Sequence, residues 1–254
     1  MKQPINWYGG KQYLSRHILE ILPDHDIYTE AFCGGASLFW LKQPAKEYEI
    51  LNDINGDLVN FFRVVKNDFD SLKELVTNSV YDRDDFEYAR FILCYNKYFT
   101  SVQRAWALWF LSKTSFLVQL NSFCVNNRFM NRLQNSMDNF NIELSQRFRG
   151  VAIENIDALD FIKKYDKPNA LHFLDPPYLG TSCGLYKGMF HVEQFKELLD
   201  ILLSLNGKFI LTTYTNSIID DYIERGKWKV KGIENTVMSS HNKKKATELI
   251  IYNF

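Results

Sequence analysis

Short runs rich in β-branched and aromatic residues alternate with helical patterns along most of the chain, and this alternation is typical of a parallel α/β sheet. Strands are predicted at 26–32, 48–52, 151–154, 171–174, 208–213, 227–233 and 248–254. Helices are predicted at 11–21, 37–42, 55–66, 192–205 and 217–224. Because no segment of helical length separates the last two strands, we expect the final strand to pair antiparallel, in a hairpin at the edge of the sheet.

The second and third predicted strands are separated by a long insertion. About one hundred residues lie between them, whereas a crossover helix needs only about a dozen. We therefore predict an inserted subdomain at 56–150 and a sheet domain built from 1–55 and 151–254. The elements predicted within the insertion are helices at 84–98 and 101–111 and an irregular, asparagine-rich arm at 119–141.

The composition excludes several classes of protein. Of the 254 residues, 46% are hydrophobic and 15% are aromatic, which excludes a disordered or fibrous chain. No apolar run approaches the roughly 18 to 20 residues of a membrane span, and a glycine pair stands where a signal peptide would be apolar. The four cysteines are scattered, so neither a zinc site nor a disulfide framework is predicted. We expect a cytoplasmic protein without a metal.

The formal net charge is zero, but the charge is unevenly distributed. Residues 88–150 hold eight Lys and Arg against two Asp and Glu, and residues 227–245 hold six Lys against one Glu. A local excess of positive charge favours contact with an anionic partner, whereas a solvated surface is the alternative interpretation. The first of these basic segments coincides with the insertion.

The first predicted strand leads into a glycine pair, Gly34 and Gly35, at the start of a helix. Glycines at such a turn let the backbone approach a ligand beside the helix N-terminus. Asp53 follows the second strand, about 20 positions further on, where a carboxylate can accept hydrogen bonds from two ribose hydroxyls. A purely structural turn and a helix cap are the alternatives. Together the glycines and the acid indicate a cofactor that contains a nucleoside.

The apolar strand predicted at 171–174 ends in Asp175-Pro176-Pro177-Tyr178. Two consecutive prolines restrict the backbone and remove two N–H donors, so their carbonyls can serve as acceptors. Asp175 adds an acceptor and Tyr178 adds a flat aromatic face. This set suits a planar ring with an exocyclic amino group, which donates two hydrogen bonds while the ring stacks. A strand that simply stops at a proline turn is the structural alternative.

In this order, the blocks at 6–11, 29–35 and 175–178 resemble the D12 class of adenine-N6 DNA methyltransferases, the Dam-like family of the alpha group. Asp53 and the segment 153–157 match the positions that hold the cofactor's ribose and adenine in that family. The resemblance covers nearly the whole chain. It implies a Rossmann-like methyltransferase sheet, mostly parallel with an antiparallel last strand, and an inserted helical target-recognition subdomain that binds DNA.

The resemblance also implies a cofactor, S-adenosylmethionine, with S-adenosylhomocysteine as its product. The implied cofactor-binding residues are Trp7, Tyr8, Gly9, Lys11, Phe32, Gly34, Gly35, Asp53, Ile156 and Asp175. The implied catalytic residues are Asp175, Pro176, Pro177 and Tyr178. In the implied reaction, the acceptors bind the N6 amino group of an adenine flipped out of the duplex, and the methyl group moves in line without a covalent enzyme intermediate.

Double-stranded DNA is the implied partner, and a cognate restriction endonuclease is a further one. We predict that Lys113, Arg128 and Arg132 of the insertion contact DNA phosphates. The arm does not match the residues with which GATC-methylating members read their target, so no recognition sequence is predicted. The alternatives are an N4-cytosine or RNA adenine methyltransferase, and a catalytically silent DNA-binding regulator with the same fold.

Overall fold

The computed structural model describes residues 1–7, 9, 12–115, 122–123, 125–179, 190–237 and 244–254. The chain divides into two compact units, each assembled from three stretches of sequence. The first, here called the helical unit, comprises Met1–Gly10, Gly34–Lys42 and Asp53–Asn155. The second, the sheet unit, comprises Lys11–Cys33, Gln43–Asn52 and Ile156–Phe254.

The strands, numbered in chain order, are β1 (Ile27–Glu30), β2 (Tyr48–Asn52), β3 (Val151–Glu154), β4 (Ala170–Leu174), β5 (Lys208–Tyr214), β6 (Lys229–Val237) and β7 (Lys244–Tyr252). All except β3 belong to the sheet unit, where they lie in the order β2-β1-β4-β5-β7-β6. Strands β2, β1, β4 and β5 are parallel, and β7 runs antiparallel to β5 and to β6. The predicted fold class and the antiparallel hairpin at the end of the chain are confirmed.

The helices are α1 (Gln12–Leu19), α2 (Ser37–Leu41), α3 (Gly56–Asn67), α4 (Phe69–Thr77), α5 (Arg83–Cys94), α6 (Ser101–Thr114), α7 (Asn127–Asp138), α8 (Glu143–Arg147), α9 (Ala158–Tyr165), α10 (Val192–Leu203) and α11 (Ser217–Gly226), with a short 3-10 turn at Asn96–Tyr98. Helices α1, α9, α10 and α11 belong to the sheet unit, and the others belong to the helical unit. Among the described residues, no helix combines the length and the apolar composition that crossing a membrane requires.

The core of the sheet unit explains why its central strands read as continuous apolar runs. Every residue of β1 and of β4 is buried. Helices α9, α10 and α11 contribute Phe161, Phe195 and Ile219 to one apolar cluster. Parallel strands covered by helices bury their side chains, so apolar residues are favoured at successive positions. This core fixes the positions at which the strands end.

Helix α6 forms the centre of the helical unit. Its last ten residues, from Ala105 to Thr114, are all buried. A helix that is buried on every side belongs to the interior of its unit, and α3, α4, α5 and α7 surround this one. Its start is fixed by a capping box, in which Thr100 and Gln103 each bind the other's backbone N–H.

Four helices differ from what the sequence predicts. The segment expected to be an irregular arm holds α7, although residues 119–121 and 124 of that segment lie outside the described residues. Only Leu133 of α7 is buried, and most residues of this helix are polar. Its start is fixed by Asn126, whose side chain accepts from the Arg128 N–H. Helices α4, α8 and α9 have no counterpart in the sequence prediction. The predicted division into two functional domains stays a prediction.

Candidate active site

The carboxyl ends of β1, β4 and β5 lie side by side, because the three strands are parallel neighbours in register. In open α/β sheets, ligands bind outside the carboxyl ends of the strands. Asp175 follows the last residue of β4 directly, and Phe32 follows β1 after one residue. The sequence-predicted residues of the sheet unit therefore lie at the edge where a ligand is expected.

Asp175 is oriented by the neighbouring strand. The hydroxyl of Thr212, on β5, donates to Oδ1 of Asp175 at 2.6 Å. Asp175 is half-buried, and Pro176, which follows it, is buried. A hydrogen bond to a carboxylate at this length is strong, so it holds the acidic group in one orientation. Thr212 was not singled out by the sequence analysis.

Tyr178 is held at its ring and at its hydroxyl. The hydroxyl donates to Oε1 of Glu248 at 2.5 Å. The ring meets the ring of Tyr214 edge to face, with the centroids 4.7 Å apart. Burial raises the pKa of the Tyr178 phenol well above its usual value, and the negative charges of Asp175 and Glu248 raise it further. The phenol is therefore neutral at physiological pH and acts as a hydrogen-bond donor.

Asn52 joins the ends of β1 and β2 to the segment that begins at Ile156. Its side-chain N–H groups donate to the carbonyl oxygens of Ala31 at 2.9 Å and Ile156 at 3.1 Å. Its side-chain oxygen accepts from the Ile156 N–H at 3.0 Å. Asn52 is fully buried, so these bonds satisfy polar groups that water does not reach. They place Ile156 at the same sheet edge as Phe32.

In the helical unit, Asp53 anchors the glycine turn. Its Oδ2 accepts from the Gly34 N–H at 2.9 Å, and its Oδ1 accepts from the Asn55 N–H at 2.9 Å. The start of α3 is capped by Asn55, whose side chain accepts from the N–H groups of Asp57 and Leu58. The alternative interpretation of Asp53 as the cap of this helix is therefore wrong.

The glycine turn needs its glycines because Trp7 lies against it. Gly34 has a φ of +48°, and a Cβ added there would stand 2.9 Å from Cδ1 of Trp7. A Cβ on Gly35 would stand 3.2 Å from Cβ of Trp7. Trp7 is buried, so it has little room to move. The three predicted cofactor residues thus form one tightly packed group with a backbone that only glycine adopts easily.

Lys113 corrects one of the predictions. It is only 3% exposed, and its Nζ donates to Oδ1 of Asn6 at 2.9 Å. Burial, and then the positive charge of Arg132, lower the pKa of Lys113 to about 7. An ammonium group enclosed by protein does not present itself to a phosphate, so the prediction that Lys113 contacts DNA is wrong for this structure.

The other two predicted DNA contacts differ from each other. Arg132 is partly buried, and its guanidinium donates to the carbonyl oxygens of Lys113 at 2.6 Å and Ser115 at 3.2 Å. It joins α7 to the end of α6. Arg128 is exposed on the first turn of α7. Contact between Arg128 and DNA stays a prediction.

Most of the predicted site residues fall into two groups. The sheet unit brings together Phe32, Ile156, Asp175, Pro176, Pro177 and Tyr178 at the carboxyl edge of its sheet. The helical unit brings together Trp7, Gly34, Gly35 and Asp53. Gly9 has a φ of +76°, and Tyr8 and Lys11 lie outside the described residues.

The sequence analysis gave no role to Asn52, Thr212, Tyr214 or Glu248. Asn52 and Tyr214 are the last residues of their strands and Thr212 lies two residues before the end of β5, whereas Glu248 lies in the middle of β7 directly before an apolar run. Only the pairing of the strands shows which of them meet. Within the described residues, no three His, Cys, Asp or Glu side chains come together as metal ligands would.

Comparison with known proteins gives a match over most of the chain. Residues 7–238 match the model of the D12 class N6 adenine-specific DNA methyltransferase family. Type II methyltransferase M1.LlaDCHI of Lactococcus lactis subsp. cremoris is 26% identical over an alignment 270 residues long, which covers 98% of this chain and 94% of that protein. Modification methylase StsI of Streptococcus sanguinis is 25% identical over an alignment 298 residues long, which covers this whole chain and 43% of that protein. Type II methyltransferase M.MjaIII of Methanocaldococcus jannaschii is 39% identical over 97 residues, 34% of this chain and 32% of that protein.

The buried Lys113 makes stability depend on pH. Its pKa falls from 10.5 to about 7 on folding, so between these pH values the unfolded chain binds more protons than the folded chain. The free energy of unfolding therefore rises with pH across this range. We expect the stability of the chain relative to its Lys113→Met variant to increase from pH 7 towards 10.5, as measured by urea unfolding at several pH values.

Lys97→Met is the matched control, because Lys97 is an exposed lysine of the same unit. Its stability difference from the original chain should change little over the same range. If the difference in free energy of unfolding between the original chain and Lys113→Met stays constant with pH, Lys113 does not lose its proton in the folded chain.

Proposed function

The chain belongs to the D12 class of N6 adenine-specific DNA methyltransferases, and we propose that it transfers a methyl group from S-adenosylmethionine to the N6 amino group of an adenine flipped out of double-stranded DNA. The observation that carries the proposal is the position of Asp175. It stands at the carboxyl end of β4, its carboxylate is oriented by Thr212, and two prolines and Tyr178 follow it. This position supports a role as acceptor for an exocyclic amino group.

The N6 amino group of adenine needs activation, because its lone pair is delocalised into the ring. We propose that the Asp175 carboxylate and the Pro176 carbonyl accept its two N–H groups and favour a tetrahedral nitrogen. The oriented carboxylate does not have to reorganise when positive charge develops on the nitrogen. A proton leaves N6 after the transfer. No covalent enzyme intermediate is needed, so positioning and electrostatic preorganisation provide the rate enhancement.

The residues present fit an S-adenosylmethionine cofactor. Asp53 has a carboxylate held by two backbone N–H groups, and a carboxylate is a suitable acceptor for the two hydroxyls of a ribose. Gly34, whose N–H donates to this carboxylate, packs against Trp7, so both residues stand beside Asp53. We propose that Trp7, Gly34, Gly35 and Asp53 of the helical unit hold the cofactor. When bound, the cofactor supplies a methyl group on a sulfonium, whose positive charge disappears on transfer.

The target base must leave the helix before it can react. Its N6 lies inside a duplex, so we propose that the enzyme extrudes the nucleotide and that Tyr178 stacks against the base. Duplex DNA is then held mainly through its phosphates, and we propose that the exposed Arg128 of α7 contributes one of these contacts.

Asp175→Ala should lower turnover by about 10²- to 10³-fold, because it removes the acidic acceptor for the amino group. Binding of S-adenosylmethionine should remain measurable by calorimetry, since the proposed ribose contact is intact. Asp220→Ala is the control, because Asp220 is an exposed aspartate of the same unit on α11. Turnover of Asp175→Ala that matches the control would exclude the proposed mechanism.

Asp53→Ala should weaken S-adenosylmethionine binding by about 1.5 to 3 kcal/mol, the range for hydrogen bonds to a charged group. The matched control is Asn55→Ala. This substitution also removes two hydrogen bonds to backbone N–H groups, but Asn55 is not proposed to contact the ribose. It should lower stability by about 1 kcal/mol and leave cofactor affinity unchanged. Equal affinities of the two variants in calorimetry would assign Asp53 a structural role alone.

Arg128→Ala should reduce the dependence of DNA affinity on salt. Each phosphate contact contributes roughly 0.9 to the slope of log affinity against log salt, so the slope should fall by about that amount. Arg225→Ala, an exposed arginine of the sheet unit, serves as the control and should keep the full slope. The affinity for S-adenosylmethionine, measured without DNA, should be the same in the two variants. An unchanged slope in Arg128→Ala would place the phosphate contacts elsewhere.

A further inference from the structure

Three side chains of the hairpin region share one face of the sheet. Thr212 and Tyr214 are two residues apart on β5, so they point to the same side. Glu248 of β7 lies directly opposite Tyr214 in the antiparallel pairing. Residues opposite each other in such a pair also point to the same side. The register therefore places a hydroxyl, an aromatic ring and a carboxylate next to one another.

This face meets the segment that follows β4. Thr212 donates to Asp175, the ring of Tyr214 lies against the ring of Tyr178, and Glu248 accepts from the Tyr178 hydroxyl at 2.5 Å. The Asp175 end of the segment is thus tied to β5, and the Tyr178 end is tied to both β5 and β7. Between them stand two prolines whose φ angles are fixed. The Tyr178 ring is consequently anchored through its backbone, its edge and its hydroxyl.

A carboxylate is unusual at the buried position that Glu248 occupies. It is 4% exposed and is followed on β7 by the buried Leu249, Ile250 and Ile251. Burying a carboxylate costs free energy unless donors compensate for the lost water, and an apolar residue of similar size is often at least as stabilising. A buried acid in this position therefore indicates a purpose other than stability.

We propose that Glu248 is a positioning residue for the reaction: by holding the Tyr178 hydroxyl, it fixes the plane of the ring that stacks on the flipped base. This inference rests on the proposed function. The phenol keeps its proton, because burial and the nearby charges raise the pKa of Tyr178, so it acts as a steady donor to Glu248. A ring fixed in advance does not have to be ordered when the base arrives, which favours the reactive arrangement.

A double-mutant cycle tests this role. Tyr178→Phe removes the donor, Glu248→Ala removes the acceptor, and Glu248→Gln keeps an oxygen that can accept. The assay is single-turnover transfer of tritiated methyl from S-adenosylmethionine to genomic DNA that lacks adenine methylation. Calorimetry gives the cofactor affinity of each variant, and thermal unfolding shows that each is folded.

Glu248→Ala and Tyr178→Phe should each slow transfer about tenfold or more, and the double variant should be no slower than the slower single variant. Cofactor affinity should stay within about twofold of the original. Glu248→Gln should recover a large part of the rate, because its amide oxygen accepts the same hydrogen bond. This partial recovery also keeps the test informative if Glu248→Ala does not fold.

The chain offers a matched control elsewhere in the sheet unit. The Tyr222 hydroxyl, on α11, donates to Oδ1 of Asp200, on α10, at 2.7 Å. This pair is also a tyrosine hydroxyl that donates to a carboxylate, but both residues lie on helices. Tyr222→Phe and Asp200→Ala should leave the transfer rate within about twofold of the original.

Two results would overturn the positioning role while the proposed function stands: normal transfer by Glu248→Ala, or effects of the two single variants that multiply in the double variant. Loss of cofactor affinity in parallel with the rate would assign Glu248 a merely structural role. Failure of the unmodified protein to transfer methyl groups would instead overturn the proposed function, and the positioning role with it.

Discussion

The buried side chain of Asn52 is the interaction on which the candidate site depends most. Its amide binds the carbonyls of Ala31 and Ile156 and the N–H of Ile156, so it joins the end of β2 to the residue after β1 and to the segment that begins at Ile156. All of these groups are shielded from water, where an unpaired amide would be costly. These bonds hold the residue before Phe32 and the residue Ile156 against the end of β2.

The side chains proposed to bind the target adenine and the carboxylate proposed to bind the ribose are oriented in different ways. Asp175 and Tyr178 are held by side chains of β5 and β7, through Thr212 and Glu248. Asp53 is held by backbone N–H groups of the glycine turn and of the segment before α3. In both cases the polar groups proposed to bind ligand are oriented before any ligand is present. Preorganisation of this kind is the main physical source of rate in a reaction without a covalent intermediate.

Much of the sheet was predictable from the sequence, because strands such as β4 are mostly apolar, and β4 is followed closely by two prolines. The position of Asp175 at a strand end followed from the same pattern. Helix α7 was missed because most of its residues are polar and the asparagine-rich composition of the segment favours an irregular arm. The burial of Lys113 and the contact between Tyr178 and Glu248 depend on residues 107 and 70 positions apart, respectively, and no local pattern encodes such pairings.

Methyl transfer to adenine N6 is tested most directly by identifying the product. The purified protein is incubated with duplex DNA that lacks adenine methylation and with S-adenosylmethionine carrying a trideuterated methyl group. The DNA is then digested to nucleosides and analysed by mass spectrometry. We expect trideuterated N6-methyladenine as the labelled base. Label in N4-methylcytosine, or DNA that remains unlabelled while the protein is folded and binds the cofactor, would contradict adenine methylation.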